Sequence, residues 1–236
     1  MKLFGKKPAA CGAILVAAGS AARMQGIDKV MEPVGGIPMI VRTALVFEQC
    51  PSVDTILIVT RKELVEKVNL LCREYGIHKL AAVVIGGETR TESVRRGLIC
   101  LPKACGLVAV HDGARPLVTC QIVEDAIQRA RRTNAAAPAV PVKDTIKIAQ
   151  KGEVQSTPDR STLFAVQTPQ VFDVDLLSAA LENGLRRNLT LTDECSAVEA
   201  LGKVVYLTEG SDENLKVTTP VDLALAEAIL NWRERK

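Results

Sequence analysis

Aromatic side chains make up only 3% of the 236 residues: one Trp, two Tyr and four Phe. So sparse a set leaves little for the stacking platforms on which single-stranded nucleic acids are held. An excess of one charge is missing too, because 30 basic and 27 acidic residues leave +3, with no basic tail or stripe. Both absences argue against a nucleic-acid partner, and any anion site has to be a local cluster. No apolar segment reaches the ~18 residues of a membrane span. The run CGAILVAAG near the N-terminus is short, is approached through Pro8 and is soon followed by Arg23, so a first core strand explains it better than a signal peptide. Cys11, Cys50, Cys72, Cys100, Cys105, Cys120 and Cys195 are odd in number and show no C-x-x-C spacing. Neither a zinc ribbon nor a disulfide framework is indicated, and buried thiols in a reducing, cytoplasmic setting are expected.

What is present is a hydrophobic content of 47%, enough for a sizeable aliphatic core. Short β-branched runs alternate with amphipathic ones: AILVAA, PMIVRTALVFEQC, DTILIVT, KELVEKVNLLCREYG, LAAVVIGG, TESVRRGLICL, GLVAVHDG and QIVEDAIQRARR. Four strand and helix pairs in a row imply right-handed parallel crossovers. The strands are apolar almost throughout, as expected where helices cover both faces. The fold class is therefore α/β, a Rossmann-like doubly wound and mostly parallel sheet in a single domain over residues 1–236.

The alternation breaks at about residues 141–166, where two extended runs flank a KGE turn signal. We read this stretch as a projecting β-arm. A hairpin with so little apolar surface is marginal alone, and packing against a second copy of the chain is the expected remedy. Regular structure resumes with VDLLSAALENG, DECSAVEALG, KVVYLTEG and a final helix whose start is marked by Thr219, Pro220 and Asp222.

In open sheets of this class ligands gather outside the carboxyl ends of the strands. That rule singles out the loops at residues 17–29, 86–93 and 111–116, and the segment after AAAPAVPV. The first reads GSAARM, which is neither the dinucleotide fingerprint G-x-G-x-x-G nor a P-loop. Its small residues still let backbone N–H groups approach phosphate oxygens, with Arg23 and Lys29 to neutralise charge; an ordinary turn with two solvated cations is the alternative. The third, HDGARP, sets Asp112 and Arg115 at a strand end, where the aspartate suits a hydrated magnesium or a substrate hydroxyl and the arginine a phosphate; a local ion pair is the alternative. His111 on the same strand reads as a hydrogen-bonded core residue. Lys216, in ENLKVTTP, is expected to end a short strand. Thr145, Thr168 and Thr192 suit turn and cap roles as well as binding. The set holds cations and hydroxyls but no nucleophilic triad.

Taken in order, LVAAGSAARM, DK, GGETRTESV, VHDGARP, VKDT, PDR, VQTPQ, LTDE and NLKVTTPVDLALAE resemble the 2-C-methyl-D-erythritol 4-phosphate cytidylyltransferase family over about residues 12–232. The resemblance implies a homodimer that transfers CMP from CTP to the sugar-alcohol phosphate with magnesium assistance, in non-mevalonate isoprenoid synthesis. It assigns Ala17, Ala18, Gly19 and Ser20 to CTP, and Gly87, Glu88 and Ser93 to the cytosine. Arg23, Lys29 and Lys216 would surround the triphosphate as the catalytic cations. Asp112, Arg115, Thr145, Thr168 and Thr192 would hold the substrate, with Arg160 arriving from the neighbouring subunit. Asp112 is also the one candidate for a protein contact to the metal. Three departures from the family pattern, at four positions, stand out: Ala21 replaces a second glycine, Asp28 and Val30 flank Lys29 in place of Pro and Gln, and Glu88 replaces aspartate. Related enzymes acting on ribitol 5-phosphate or another polyol phosphate share the CTP half. A non-catalytic nucleotide-binding protein is the alternative of another class, and a nicotinamide oxidoreductase would share the sheet but lacks its fingerprint here.

Overall fold

The computed structural model describes residues 9–19 and 29–235. Ser20, Ala21, Arg23 and Asp28 lie outside the described residues. In chain order the elements are β1 (Ala10–Ala17), β2 (Pro33–Val34), β3 (Ile37–Pro38), α1 (Met39–Gln49), β4 (Thr55–Thr60), α2 (Val65–Glu74), β5 (Leu80–Ile85), α3 (Arg90–Cys100), β6 (Cys105–Asp112) and α4 (Cys120–Thr133). They continue with β7 (Ala135–Pro141), β8 (Ile148–Gln150), β9 (Glu153–Ser156), β10 (Phe164–Val166), β11 (Gln170–Asp173), α5 (Val174–Arg186), α6 (Glu194–Glu199), β12 (Tyr206–Glu209) and α7 (Pro220–Arg233).

β5, β4, β1 and β6 pair in parallel, as the alternating strand and helix runs predict. Antiparallel β11 follows beside β6, then β7, with β12 parallel to β7. β10 and β11 occupy successive stretches of one edge of β7 while β12 takes the other. The period-two geometry of a strand sends alternate side chains to opposite faces. Cys11, Ala13, Leu15 and Ala17 of β1 accordingly meet α1, α2 and α4, whereas Ile14 meets α3, α5 and α6. Helices on both faces account for the unbroken apolar character of β4, TILIVT, buried at all but its first residue. A third apolar cluster, with Met39, Leu117, Val217 and Ala226, seats α7 over the loop that follows β6.

Within the stretch read as an arm, β8 and β9 form a hairpin whose strands pair only with each other, both exposed along their length. Lys151 and Gly152, at φ +52° and +85°, turn it with the two positive dihedrals that match the twist of a two-residue hairpin loop. The ends of the predicted stretch belong to the main sheet, since Phe164 pairs with Pro141 and Val166 with Ala139. One expectation fails: Lys216 ends no strand. Residues 214–218 are irregular and are held by separate bonds, Val217 N–H to the Ala114 carbonyl (2.8 Å) and the Asn214 side-chain amide to the Thr168 carbonyl (3.1 Å). Among the described residues no helix is long and apolar enough to cross a membrane.

Candidate active site

β1, β5 and β6 deliver their carboxyl ends to one cavity of about 260 Å³. Its walls include Ala17 at the end of β1 with Ala18 and Gly19 beyond it, Lys29, Gly87, Glu88 and Thr89 after β5, Arg90 and Ser93 on α3, Asp112 at the end of β6, and Lys216. Nine residues named from the sequence thus converge: Ala17, Ala18, Gly19, Lys29, Gly87, Glu88, Ser93, Asp112 and Lys216.

The loop before α3 is locked by its own side chains. Thr89 caps α3 by accepting from the Glu92 amide (3.1 Å), and Ser93 Oγ accepts from the Gly87 amide (3.0 Å) while donating to the Thr89 carbonyl (2.9 Å). Gly86 lies so near β1 that a Cβ there would sit 2.4 Å from the Ala18 Cβ, so glycine is what allows the two loops to share a wall. The positive end of α3 faces the cavity and favours an anion.

Asp112 is the electrostatic centre. Lys216 Nζ lies 2.7 Å from its Oδ2 and Arg90 Nε 3.2 Å from its Oδ1. Burial by itself would raise the Asp112 carboxyl, but Arg90 and Lys216 overcome it and hold the group well below the usual carboxylate range. Arg90 is itself gripped from behind, its Nη1 2.5 Å from Oε1 of fully buried Glu194 on α6. Burial opposes the charged form of Arg90, yet Glu194 and Asp112 together fix it as a permanent cation, while burial raises Glu194. Arg90 and Glu194 were not named from the sequence. The available signal was an arginine at the first position of a helix, where the dipole disfavours a cation unless acids compensate it; those acids stand 22 and 104 residues away in the chain.

Other named residues stand apart from the cavity. Thr168 is buried, its hydroxyl accepting from the Asp112 amide (3.1 Å) and facing His111 Nδ1 (3.0 Å). His111 Nε2 meets the Arg115 carbonyl (3.2 Å), which can only accept, so the proton sits on Nε2 and Nδ1 accepts from Thr168. Burial pushes this imidazole down to about 4, so it is a neutral strut, as the sequence reading has it. Arg115 spends Nη1 on the Asn214 carbonyl (2.6 Å), and its Nε is 4.0 Å from Asp112 Oδ2, so the local pair is the weakest of the three contacts on that carboxylate. Thr145 and Thr192 are exposed, and exposed Arg160 donates to the Lys143 carbonyl of its own chain (2.6 Å). Both Asp112 oxygens are already engaged by cations, and among the described residues no group of three metal-capable side chains surrounds them, so the donor set does not fit a metal held by the protein. All seven cysteines are free thiols.

The family model for 2-C-methyl-D-erythritol 4-phosphate cytidylyltransferase matches residues 11–232. A curated enzyme of that name from Dehalococcoides mccartyi strain CBDB1 is 40% identical over 93% of this chain and 95% of its own. One from Desulforamulus reducens is 42% identical over 94% and 96%. Among solved structures, 4-diphosphocytidyl-2C-methyl-D-erythritol synthase from Anaerococcus prevotii superposes with a TM-score of 0.85 at 30% identity, covering 94% of this chain and 96% of that one. The 2-C-methyl-D-erythritol 4-phosphate cytidylyltransferase of Thermus thermophilus gives 0.77 at 32% identity, covering 92% and 98%.

Proposed function

We propose a mechanism from the premise that this chain belongs to the 2-C-methyl-D-erythritol 4-phosphate cytidylyltransferase family. It is a nucleotidyltransferase that moves CMP from CTP to 2-C-methyl-D-erythritol 4-phosphate, giving 4-diphosphocytidyl-2-C-methyl-D-erythritol and pyrophosphate. The observation that carries the mechanism is the cavity, lined by Lys29, in which Arg90 and Lys216 meet on Asp112 at the positive end of a helix.

The substrate's phosphate oxygen attacks the α-phosphorus of CTP, and pyrophosphate leaves in line. Two anions have to be brought together, and unit charges 4 Å apart repel by about 4 kcal/mol at an effective dielectric of 20. No protein nucleophile is required, because catalysis consists of positioning and of stabilising the charge that grows on the transferring and leaving groups. The backbone of Ala17, Ala18 and Gly19 with Ser20 receives the triphosphate, and Gly87, Glu88 and Ser93 frame the cytosine. Lys29 and Lys216, with Arg23, carry the electrostatic load. Lys216 starts on Asp112 and is partly exposed, so an arriving phosphate competes for an ammonium already aimed at the site. Asp112, freed in part, then accepts from a substrate hydroxyl. Thr168 and Arg115 serve the polyol-phosphate end from behind, by holding the Asp112 amide and the Asn214 carbonyl next to Lys216, and exposed Thr145 and Thr192 meet the substrate at its rim, with Arg160 from a second copy in a homodimer. Magnesium belongs on the triphosphate oxygens, where it would neutralise negative charge.

The test is pyrophosphate release with CTP and a panel of polyol phosphates, then with each other nucleoside triphosphate. Turnover with CTP and 2-C-methyl-D-erythritol 4-phosphate well above all other pairs is expected. Preference for ribitol 5-phosphate would move the chain to the related polyol enzymes, and nucleotide binding without release would make it non-catalytic.

A further inference from the structure

On the face of the sheet that carries α1 and α4, three donor atoms stand together away from the cavity: the thiols of Cys50 and Cys120 and a carboxylate oxygen of Glu124, all within 4.8 Å of one another. Among the described residues this is the one such group of three. We propose that Cys50, Cys120 and Glu124 form a binding site for a borderline-soft divalent cation of the zinc class, which clips the end of α1 to the start of α4.

The local fold builds the arrangement. Cys50 is the C-cap of α1 and fully buried, while Cys120 and Glu124 lie one turn apart on α4 and share a face, both partly open to solvent. Two thiolates with one oxygen suit zinc, and solvent access supplies water as the fourth ligand of a tetrahedron. Bond lengths of about 2.0–2.3 Å put ligand atoms roughly 3.5–3.8 Å apart, so a cluster within 4.8 Å needs a contraction of no more than about 1.0–1.3 Å.

The surroundings supply what a ligand set needs. Ser52 donates to both Glu124 oxygens, through its amide (2.8 Å) and its hydroxyl (2.5 Å), which fixes the carboxylate and leaves lone pairs for an ion. Lys79 Nζ sits on the Cys50 carbonyl (2.7 Å). Two thiolates, a carboxylate, a divalent cation and this ammonium sum to zero, so the loaded site is neutral. Without the ion Cys50 Sγ donates to the Val46 carbonyl (3.1 Å). Each thiol that becomes a ligand gives up its proton to solvent, and no oxidant or reductant takes part.

Cobalt(II) titration of the reduced full-length chain is the test. The expected result is one cobalt per chain with thiolate-to-cobalt charge-transfer absorption, displaced by zinc with release of about two protons, and a melting temperature that rises with zinc. Cys120→Ala should abolish the absorption, and Glu124→Gln should weaken binding at least tenfold. Cys100→Ala, which removes the exposed thiol, should leave the spectrum intact. The metal-free melting temperature of each variant reports whether it has folded. Absence of the thiolate band in wild type, its survival in Cys120→Ala, or its loss in Cys100→Ala would overturn the site.

Discussion

Asp112 ends a buried strand with two cations on its carboxylate, so the residues around it are coupled rather than independent. Replacing Lys29, Lys216 or Arg23 with alanine should each lower kcat by ~10²-fold or more, the loss typical of a removed transition-state donor; steady-state turnover with CTP is the measurement, and near-normal rates in all three would defeat the mechanism. Arg90→Met removes the partner of a buried acid and should cost about 3–5 kcal/mol at neutral pH. Because burial raises Glu194, that acid takes up a proton as the medium is acidified, so the penalty relative to wild type should shrink as the pH is lowered from neutral in denaturant unfolding. A penalty that does not change with pH would mean that Glu194 is not the charge Arg90 compensates. His111 acts in the opposite sense to a paired cation. Its folded value of about 4 lies below the ordinary 6.5, so between those values the unfolded chain binds a proton that the folded one refuses. Stability should therefore fall as pH drops through that window, by about 3 kcal/mol in all, and His111→Gln should flatten the fall. Asp112 was legible because it ends a strand beside recognisable turn chemistry, and Lys216 only because NLKVTTPVDLALAE resembles the family's sequence. Arg90 was not, because what defines it is a buried acid far away in the chain.

At the scale of elements, local chemistry was the readable part. Thr219, Pro220 and Asp222 marked the start of α7, where a reciprocal capping box forms. The KGE signal marked a turn that the structure makes with Lys151 and Gly152. The antiparallel run of β10 and β11 was not legible, because a short strand inserted between parallel neighbours carries no period of its own and is recognised only by its partners β6 and β7. Lys216 was misplaced onto a strand for a related reason: a few apolar residues look extended whether they pair with a strand or are tied down one bond at a time. Those ties make α7 part of the site. Asp222 Oδ2 accepts from the Thr218 amide (2.7 Å), the Thr218 hydroxyl (2.8 Å) and the Thr219 amide (2.8 Å), just after Lys216. Asp222→Ala should cost about 1–2 kcal/mol in chemical denaturation, as a lost cap does, and should lower kcat by loosening the lysine. Lost stability with unchanged kcat would show that the Lys216 loop is held by Val217 and Asn214 alone.

For the whole molecule, the arm and the cavity pose one question. Ile148 and Val154 lie more than half exposed on the hairpin, beside exposed Ile146 and Phe164, so the few apolar side chains it has are left uncovered by their own chain. Arg160 stands at the root of this arm, outside its own chain's cavity, with its guanidinium on a backbone carbonyl. A second copy that covered the apolar hairpin while taking Arg160 into its own cavity would answer both features in one closed two-fold contact. Mixing two inactive variants decides the matter. In a heterodimer of Arg160→Ala with Lys29→Ala, one site draws its lysine from the first chain and its arginine from the second and is intact, while the other site lacks both. Random reassortment of equal amounts makes half the dimers mixed, so about a quarter of wild-type activity should return. If Arg160 serves the cavity of its own chain, every site in the mixture lacks one residue and nothing returns. Subunit exchange, verified by mass or by a tag on one variant, makes absent recovery decisive against the shared site.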